Sequence, residues 1–254
     1  MGKLTGKTAL ITGGAGIIGV ATAKRLAADG AKIALVDRDR SQLEEAESQI
    51  GAKGILSIVA DVTKSADCAR YASDALAALG PIDIFFNNAG IEGVVSPVTE
   101  YPEDVFDDVY AVNVRGVFLG LKYVIPVMRE GGSIIITSSI AGIRGGPNMS
   151  AYVMSKFAVV GLMRTAAQEC APRRIRVNTI HPGFVESRMM RRLEMQRIGN
   201  RTHEEIQQEF LSRIPLGRYV QPEEIANGVA YLASDDARMV TGSQHLVDGG
   251  TMLV

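Results

Sequence analysis

Short runs of apolar, often β-branched residues alternate along the chain with longer helical stretches. The short runs predict strands at Thr8–Thr12, Lys32–Asp37, Ile55–Ala60, Ile82–Asn87, Ser133–Thr137, Arg176–His181 and Gln244–Asp248. Strands that are apolar throughout belong to a sheet covered on both faces, which is the habit of parallel strands. Helices are predicted between them, near 17–29, 41–50, 65–79, 102–129, 151–170 and 222–234. Right-handed crossovers then give a doubly wound α/β sheet. No linker, repeat or low-complexity tract interrupts the alternation, so 1–254 reads as one domain.

One stretch breaks the rhythm. Residues 187–217 are polar and Arg-rich and carry Met189, Met190 and Met195. They follow the sixth strand at its carboxyl end, where ligands bind in open α/β sheets, and so predict a lid over a substrate. Most of its arginines also fit the solvated face of an amphipathic helix.

Composition adds little beyond exclusions. The chain is 46% hydrophobic and 22% charged, enough for a sizeable core. Lys plus Arg total 27 against 28 Asp plus Glu, a balance that does not call for nucleic acid or an anionic membrane. Cys68 and Cys170 form no CxxC pair and read as free thiols in a reduced interior. His181, His203 and His245 show no metal-ligand spacing, and structural roles are expected for them. No apolar run reaches membrane-spanning length, and the N-terminal residues do not form a secretion signal. A soluble cytoplasmic protein is expected.

The chemistry begins at "TGGAGIIG", residues 12–19. It lies where a strand turns into a helix, and Gly14, Gly16 and Gly19 satisfy GxGxxG in that context. Glycine lets the backbone approach a pyrophosphate, and the helix N-terminus faces its charge. Gly13, Gly14, Gly16, Ile17, Ile18 and Gly19 are the candidate cradle. At the end of the second strand, Asp37 stands where a carboxylate would receive adenosine ribose hydroxyls, which favours NAD over NADP. Arg38 is the complication, because a neighbouring Arg can receive a 2′-phosphate. A turn residue and a solvated charge are the plainer alternatives for the two. Further on, Tyr152 and Lys156 are four apart and share one helix face. The preceding strand ends in Ser138 and Ser139, and a hydroxyl there could meet the Tyr above the end of the sheet.

Taken with Asp61-Val62, "NNAG" at 87–90, Asn113 in "VNVRGVF", "YVMSK", "HPGFVES" at 181–187, "GRYVQPEEIA" at 217–226 and "TGSQHLVDGG" at 241–250, the chain resembles a short-chain dehydrogenase/reductase of the compact type over essentially its whole length. The glycine loop departs from that type, which usually has Gly at the position of Ile17. The spacing here is that of the extended members.

The resemblance implies a single-domain Rossmann-like sheet of about seven strands in the order 3-2-1-4-5-6-7, and a hydride transfer between a nicotinamide and a secondary alcohol or ketone. It casts Tyr152 as general acid/base, Lys156 as its electrostatic partner and ribose ligand, Ser139 as the group that bonds the substrate oxygen, and Asn113 as the anchor of a proton-conducting water. A free Tyr has a pKa of ~10, and one ammonium ~4 Å away at an effective dielectric of ~20 supplies the about 4 kcal/mol that lowers it to ~7, to which the positive nicotinamide of the oxidised cofactor adds. Asn88, Ala89 and Gly90 would flank the adenine ribose, and Asp61 with Val62 would read the adenine edge. Asp61 also fits a helix N-terminal turn. Pro182, Gly183, Val185 and Ser187 would hold the carboxamide.

For the substrate, Glu92, Ser139, Ile140, Ile143, Met149, Phe184, Met189, Met190 and Leu193 are candidates. Their flexible apolar character suggests a cyclic or aryl small molecule, while Arg144 or the lid arginines could greet a carboxylate. The resemblance also implies a homo-oligomer, a tetramer ahead of a dimer. Two rival readings stand beside the NAD-dependent alcohol dehydrogenase: an NADP-dependent 3-oxoacyl thioester reductase and a non-catalytic dinucleotide-sensing protein. Enoyl reductases carry a longer Tyr–Lys spacing than this chain.

Overall fold

The computed structural model describes residues 2–197, 199 and 201–253. Seven parallel strands form one sheet in the order β3-β2-β1-β4-β5-β6-β7: β1 (Thr8–Thr12), β2 (Lys32–Asp37), β3 (Leu56–Val59), β4 (Ile82–Asn87), β5 (Met128–Thr137), β6 (Arg176–Pro182) and β7 (Gln244–Val247). The expected doubly wound order is therefore present.

Alternation along each strand sends neighbouring side chains to opposite faces. Leu10 and Val36 point into a core shared with α3 (Ser65–Leu79), α5 (Gly116–Val124) and α6 (Ser150–Cys170). Ala9, Ile11 and Leu35 point the other way, against α1 (Ile17–Ala28), α2 (Arg40–Ile50) and α9 (Pro222–Ala233). Both faces are covered, so the central strands β1 and β4 are buried at every position. A third, smaller core of Met190, Ile206, Phe210, Ile214 and Tyr219 joins the segment expected as a lid to Tyr219 just beyond it; the helices of that segment are α7 (Arg188–Gln196) and α8 (His203–Leu211).

The single helix expected over 102–129 is corrected. Helix α4 (Glu103–Tyr110) runs into a five-residue π turn, Ala111–Arg115, before α5 begins. Pro126 then ends the helix, because it lacks an N–H and clashes with the preceding turn. A short 3₁₀ segment at Ile125–Val127 leads directly into β5. That strand starts at Met128, five residues earlier than expected, pairing Met128 with Ile82 before a bulge restores register at Ile84 and Ser133. Gly131 within the bulge has φ +75°, a conformation that glycine adopts without strain. Among the described residues no helix is long and apolar enough to cross a membrane. Cys68 and Cys170 are buried free thiols.

Candidate active site

A cleft of ≈ 1640 Å³ runs along the carboxyl ends of the strands, from Asp37 and Asp61 at one end to Met149 and Phe210 beneath the lid. At its centre the β1–α1 loop turns on Gly13, whose φ is +62° and whose Cα packs so closely on Ala89 that a Cβ would fall 2.9 Å from the Ala89 Cα. Gly19 sits deeper, where a Cβ would lie 2.3 Å from the Gly13 carbonyl oxygen. These two glycines are required by close approach.

Gly16 is the N-cap of α1. No side chain caps this helix, and no acidic residue occupies its first turn. The first-turn N–H groups are thus left to an anion in the cleft. Gly13, Gly16, Ile17 and Ile18 line that cleft, whereas Gly14 and Gly19 lie behind it.

The loop is fastened from both sides. Asn88 Nδ2 donates to the carbonyls of Thr12 and Gly13 at 3.2 and 3.3 Å, while Asn88 Oδ1 accepts from Thr137 Oγ1 at 3.0 Å. Thr12 Oγ1 accepts the N–H groups of Asn88 and Ala89. Neither threonine was among the residues expected from sequence. Asp37 closes the other side, accepting the Ala15 N–H at 3.1 Å and the Arg38 N–H at 2.8 Å. Its carboxylate and the exposed Arg38 both line the cleft. Asp61 accepts the N–H and Oγ1 of Thr63, so the turn role is present. Asp61 and Val62 also line the cleft, as do Asn88, Ala89 and Gly90.

Midway along, α6 places Tyr152 and Lys156 on the wall. Lys156 Nζ donates to the Thr137 carbonyl at 3.0 Å and lies 5.5 Å from the Tyr152 ring centroid. The lysine is 4% exposed, and burial lowers its pKa to about 8. A Cβ on Gly90 would lie 3.3 Å from Asn113 Oδ1 and 3.5 Å from Lys156 Nζ, so the loop packs closely on both side chains.

Ser139 follows β5. A side-chain hydrogen bond from Ser139 lowers the Tyr152 pKa, but burial outweighs it, and Glu92 raises the phenol further. Within the protein itself, removal of the phenol from water is the largest effect on it.

Asn113 stands in the π turn, 1% exposed and outside the cleft lining. Its amide bonds both main-chain groups of Ile91 and donates to Ser155 Oγ at 3.0 Å. Its side chain therefore braces the loop.

At the far side Pro182 ends β6, and Gly183 N–H donates to the Val247 carbonyl. Pro182, Gly183, Val185 and Ser187 all line the cleft. Ser187 Oγ also caps α7 by accepting the Met190 N–H at 3.1 Å. Of the substrate candidates, Ser139, Ile140, Met149, Phe184, Met189, Met190 and Leu193 line the cleft. Glu92 and Ile143 do not: Glu92 is buried in the wall, and Ile143 follows the short helix after Ser139.

His181 is fully buried, with Nδ1 2.7 Å from the Ser139 carbonyl and Nε2 2.8 Å from Thr179 Oγ1. A carbonyl only accepts, so Nδ1 carries the proton and the ring supports the main chain of Ser139.

A family model described as Enoyl-(Acyl carrier protein) reductase matches residues 13–252. Levodione reductase of Leifsonia aquatica is 41% identical over 98% of this chain and 95% of its own length. The chain belongs to the short-chain dehydrogenase/reductase family. A crystal structure of levodione reductase, 40% identical, superposes with a TM-score of 0.95 over 99% of both chains. That of an NAD+-bound xylitol dehydrogenase, 38% identical, superposes with a TM-score of 0.94 over 98% of this chain and 100% of its own. Cyclohexanol dehydrogenase of an Acinetobacter strain is 36% identical over 97% of this chain and 95% of its own length. The protein is a short-chain dehydrogenase/reductase acting on CH–OH groups with a nicotinamide dinucleotide.

Proposed function

We propose that the protein is an NAD-dependent dehydrogenase that interconverts a secondary alcohol and a ketone on a cyclic or aryl small molecule. The observation that carries this is the convergence of Tyr152, Ser139 and Lys156 on one wall of a cleft whose other end presents Asp37.

The chain fits the dinucleotide along its whole length. The uncapped N-terminus of α1 would take the pyrophosphate, Asp37 the adenosine ribose, and Asp61 with Val62 the adenine edge. Asn88, Ala89 and Gly90 would flank that ribose, and Pro182, Gly183, Val185 and Ser187 would hold the carboxamide. A 2′-phosphate would bring up to two negative charges against Asp37, which supports NAD over NADP. The bound nicotinamide supplies the hydride acceptor or donor and, when oxidised, a positive charge.

The chain's own residues then manage the proton. In alcohol oxidation the Tyr152 phenolate takes the hydroxyl proton; in ketone reduction the phenol returns it. Ser139 Oγ bonds the substrate oxygen and stabilises developing alkoxide charge. Lys156, mostly protonated at neutral pH with its value near 8, holds the nicotinamide ribose and opposes protonation of Tyr152 by Coulombic attraction. The charge of the oxidised cofactor adds to that of Lys156 in stabilising the phenolate. The Tyr–Lys spacing of four does not favour enoyl reduction, and Asp37 weighs against an NADP-dependent 3-oxoacyl reductase. The presence of all of Asn113, Ser139, Tyr152 and Lys156 weighs against a non-catalytic sensor.

The relatives' names bear on the substrate: one of them acts on cyclohexanol. The test is a panel of cyclohexanol, other cyclic secondary alcohols and aryl secondary alcohols, each with NAD and with NADP, followed by absorbance of the reduced nicotinamide. Turnover with NAD that falls by orders of magnitude in Tyr152→Phe, with dinucleotide binding kept, is expected. A Tyr152→Phe protein as active as wild type overturns the assignment.

A further inference from the structure

Where the cleft reaches α8 it is lined by Arg197, Arg201 and Arg213, all from the segment expected as a lid. Their pairing is uneven. Glu209 accepts from Arg201 Nη1 at 2.7 Å through one oxygen and from Arg213 through the other. Among the described residues no carboxylate lies within ion-pair distance of Arg197. Its Nη2 instead stands 3.8 Å from the Met149 sulfur, and its guanidinium lies 5.2 Å from the centre of the Phe210 ring, which Arg213 also approaches at 5.9 Å. A thioether is a weak acceptor, and a ring face carries no net charge. Burial and then the like charge of Arg213 disfavour the Arg197 cation, and Glu209 offsets them only in part. Arg192, by contrast, is already matched by Glu92 at 3.1 Å. Three arginines thus share one anion, and the half-buried one is left without it.

This guanidinium is close to the chemistry. Met149 is the N-cap of α6, and Tyr152 lies three residues on, about one helical turn away. Phe210 meets Phe184 edge to face at 4.9 Å, and Phe184 lies two residues beyond Pro182. Met149, Phe184 and Phe210 all line the cleft. An apolar passage therefore starts near the phenol and ends in positive charge.

We infer that the substrate is an alcohol whose ring bears a carboxylate, and that Arg197 is the group that receives it. This rests on the dehydrogenase reading and names its substrate class. A guanidinium presents a planar fork that a carboxylate meets with two parallel hydrogen bonds. The apolar passage suits the ring, and Arg201 and Arg213 add attraction that Glu209 holds back.

The test compares kcat/KM for 3- and 4-hydroxycyclohexanecarboxylate with that for their methyl esters, with NAD, in wild type, Arg197→Gln and Glu209→Gln. Wild type is expected to favour the acids on the order of tenfold or more, through a lower KM. Arg197→Gln should bring the ratio of acid to ester close to one. Loss of packing alone would lower both substrates and leave that ratio intact. Glu209→Gln, which frees Arg201 and Arg213, should raise the ratio, and its nearly isosteric change keeps the test available if Arg197→Gln does not fold. A wild type that turns over the esters as well as the acids overturns the inference and leaves the dehydrogenase reading standing. So does a ratio that stays unchanged in either variant. If no alcohol is oxidised at all, the dehydrogenase reading has failed instead. Calorimetric titration of the NADH-saturated protein with cyclohexanecarboxylate and with cyclohexanecarboxamide then reads the site without turnover. The acid should bind about tenfold more tightly than the amide in wild type and not in Arg197→Gln. Equal binding of the two to wild type overturns the inference.

Discussion

Asn113 and Ile91 are joined by two hydrogen bonds, Asn113 Oδ1 accepting the Ile91 N–H and Asn113 Nδ2 donating to the Ile91 carbonyl, each at 2.8 Å. The pair fastens the π turn of one helix to the loop that carries Gly90 and Glu92. An unpaired buried polar group costs about 1–3 kcal/mol. Asn113→Ala leaves both main-chain groups of Ile91 without this partner, and a loss of about 3 kcal/mol, or roughly 10 °C in Tm, is expected. Calorimetry checks it; an unaltered Tm would contradict the bracing role.

Gly16 and Gly19 should part company. A methyl group at 19 meets the Gly13 carbonyl oxygen at 2.3 Å, so backbone must move, whereas at 16 the nearest atom is that same oxygen at 3.3 Å. Gly19→Ala is therefore expected to destabilise the fold by about 1–3 kcal/mol. Gly16→Ala should fold with little loss yet bind the dinucleotide on the order of tenfold more weakly, since its methyl group enters the anion's space. Thermal melts and calorimetric titration with NAD separate the two effects, and a Gly16→Ala protein that binds as tightly as wild type removes Gly16 from the cradle.

His181 gives stability a defined acid limb. Burial pushes the ring from 6.5 down to about 4. The unfolded chain therefore takes up this proton first as pH falls. Its contribution is fully present above about 6.5 and is lost as pH falls towards 4, a change of about 3 kcal/mol over the window. Urea midpoints measured across that range should slope more steeply in wild type than in His181→Asn. Parallel curves would show that this ring is not the group responsible.

Asp37 should control which dinucleotide is used. Its carboxylate both meets the cleft and accepts the Ala15 N–H, so Asp37→Ala should weaken NAD use and relieve repulsion of a 2′-phosphate together. The ratio of kcat/KM for NADP to that for NAD is expected to rise on the order of tenfold. A ratio that does not rise would remove Asp37 as the discriminating group.

The strands were legible because residues such as Leu10 and Ile11 are buried on opposite faces of one sheet, which leaves an apolar run with no polar interruption. The Tyr152–Lys156 pair was legible because four residues on a helix are neighbours. Pro126 was a visible stop inside the expected 102–129 helix, and the apolar periodicity around it hid the break. What sequence could not display were contacts made across the fold. Asn113 finds Ile91 at a separation of 22 residues and Arg192 finds Glu92 at 100, and no local pattern marks either pair. The surroundings of Tyr152 were hidden for the same reason: the lysine's proximity along α6 was evident, but Ser139 and Glu92, which also act on the phenol, lie on other elements.

The lid carries an interior of its own. Met190, Ile206, Phe210, Ile214 and Tyr219 pack together, and the buried Glu194 is held there by Tyr219 and His203. A cap knit in this way resists rearrangement one helix at a time, because loosening either helix would expose the shared interior and strand a carboxylate in it.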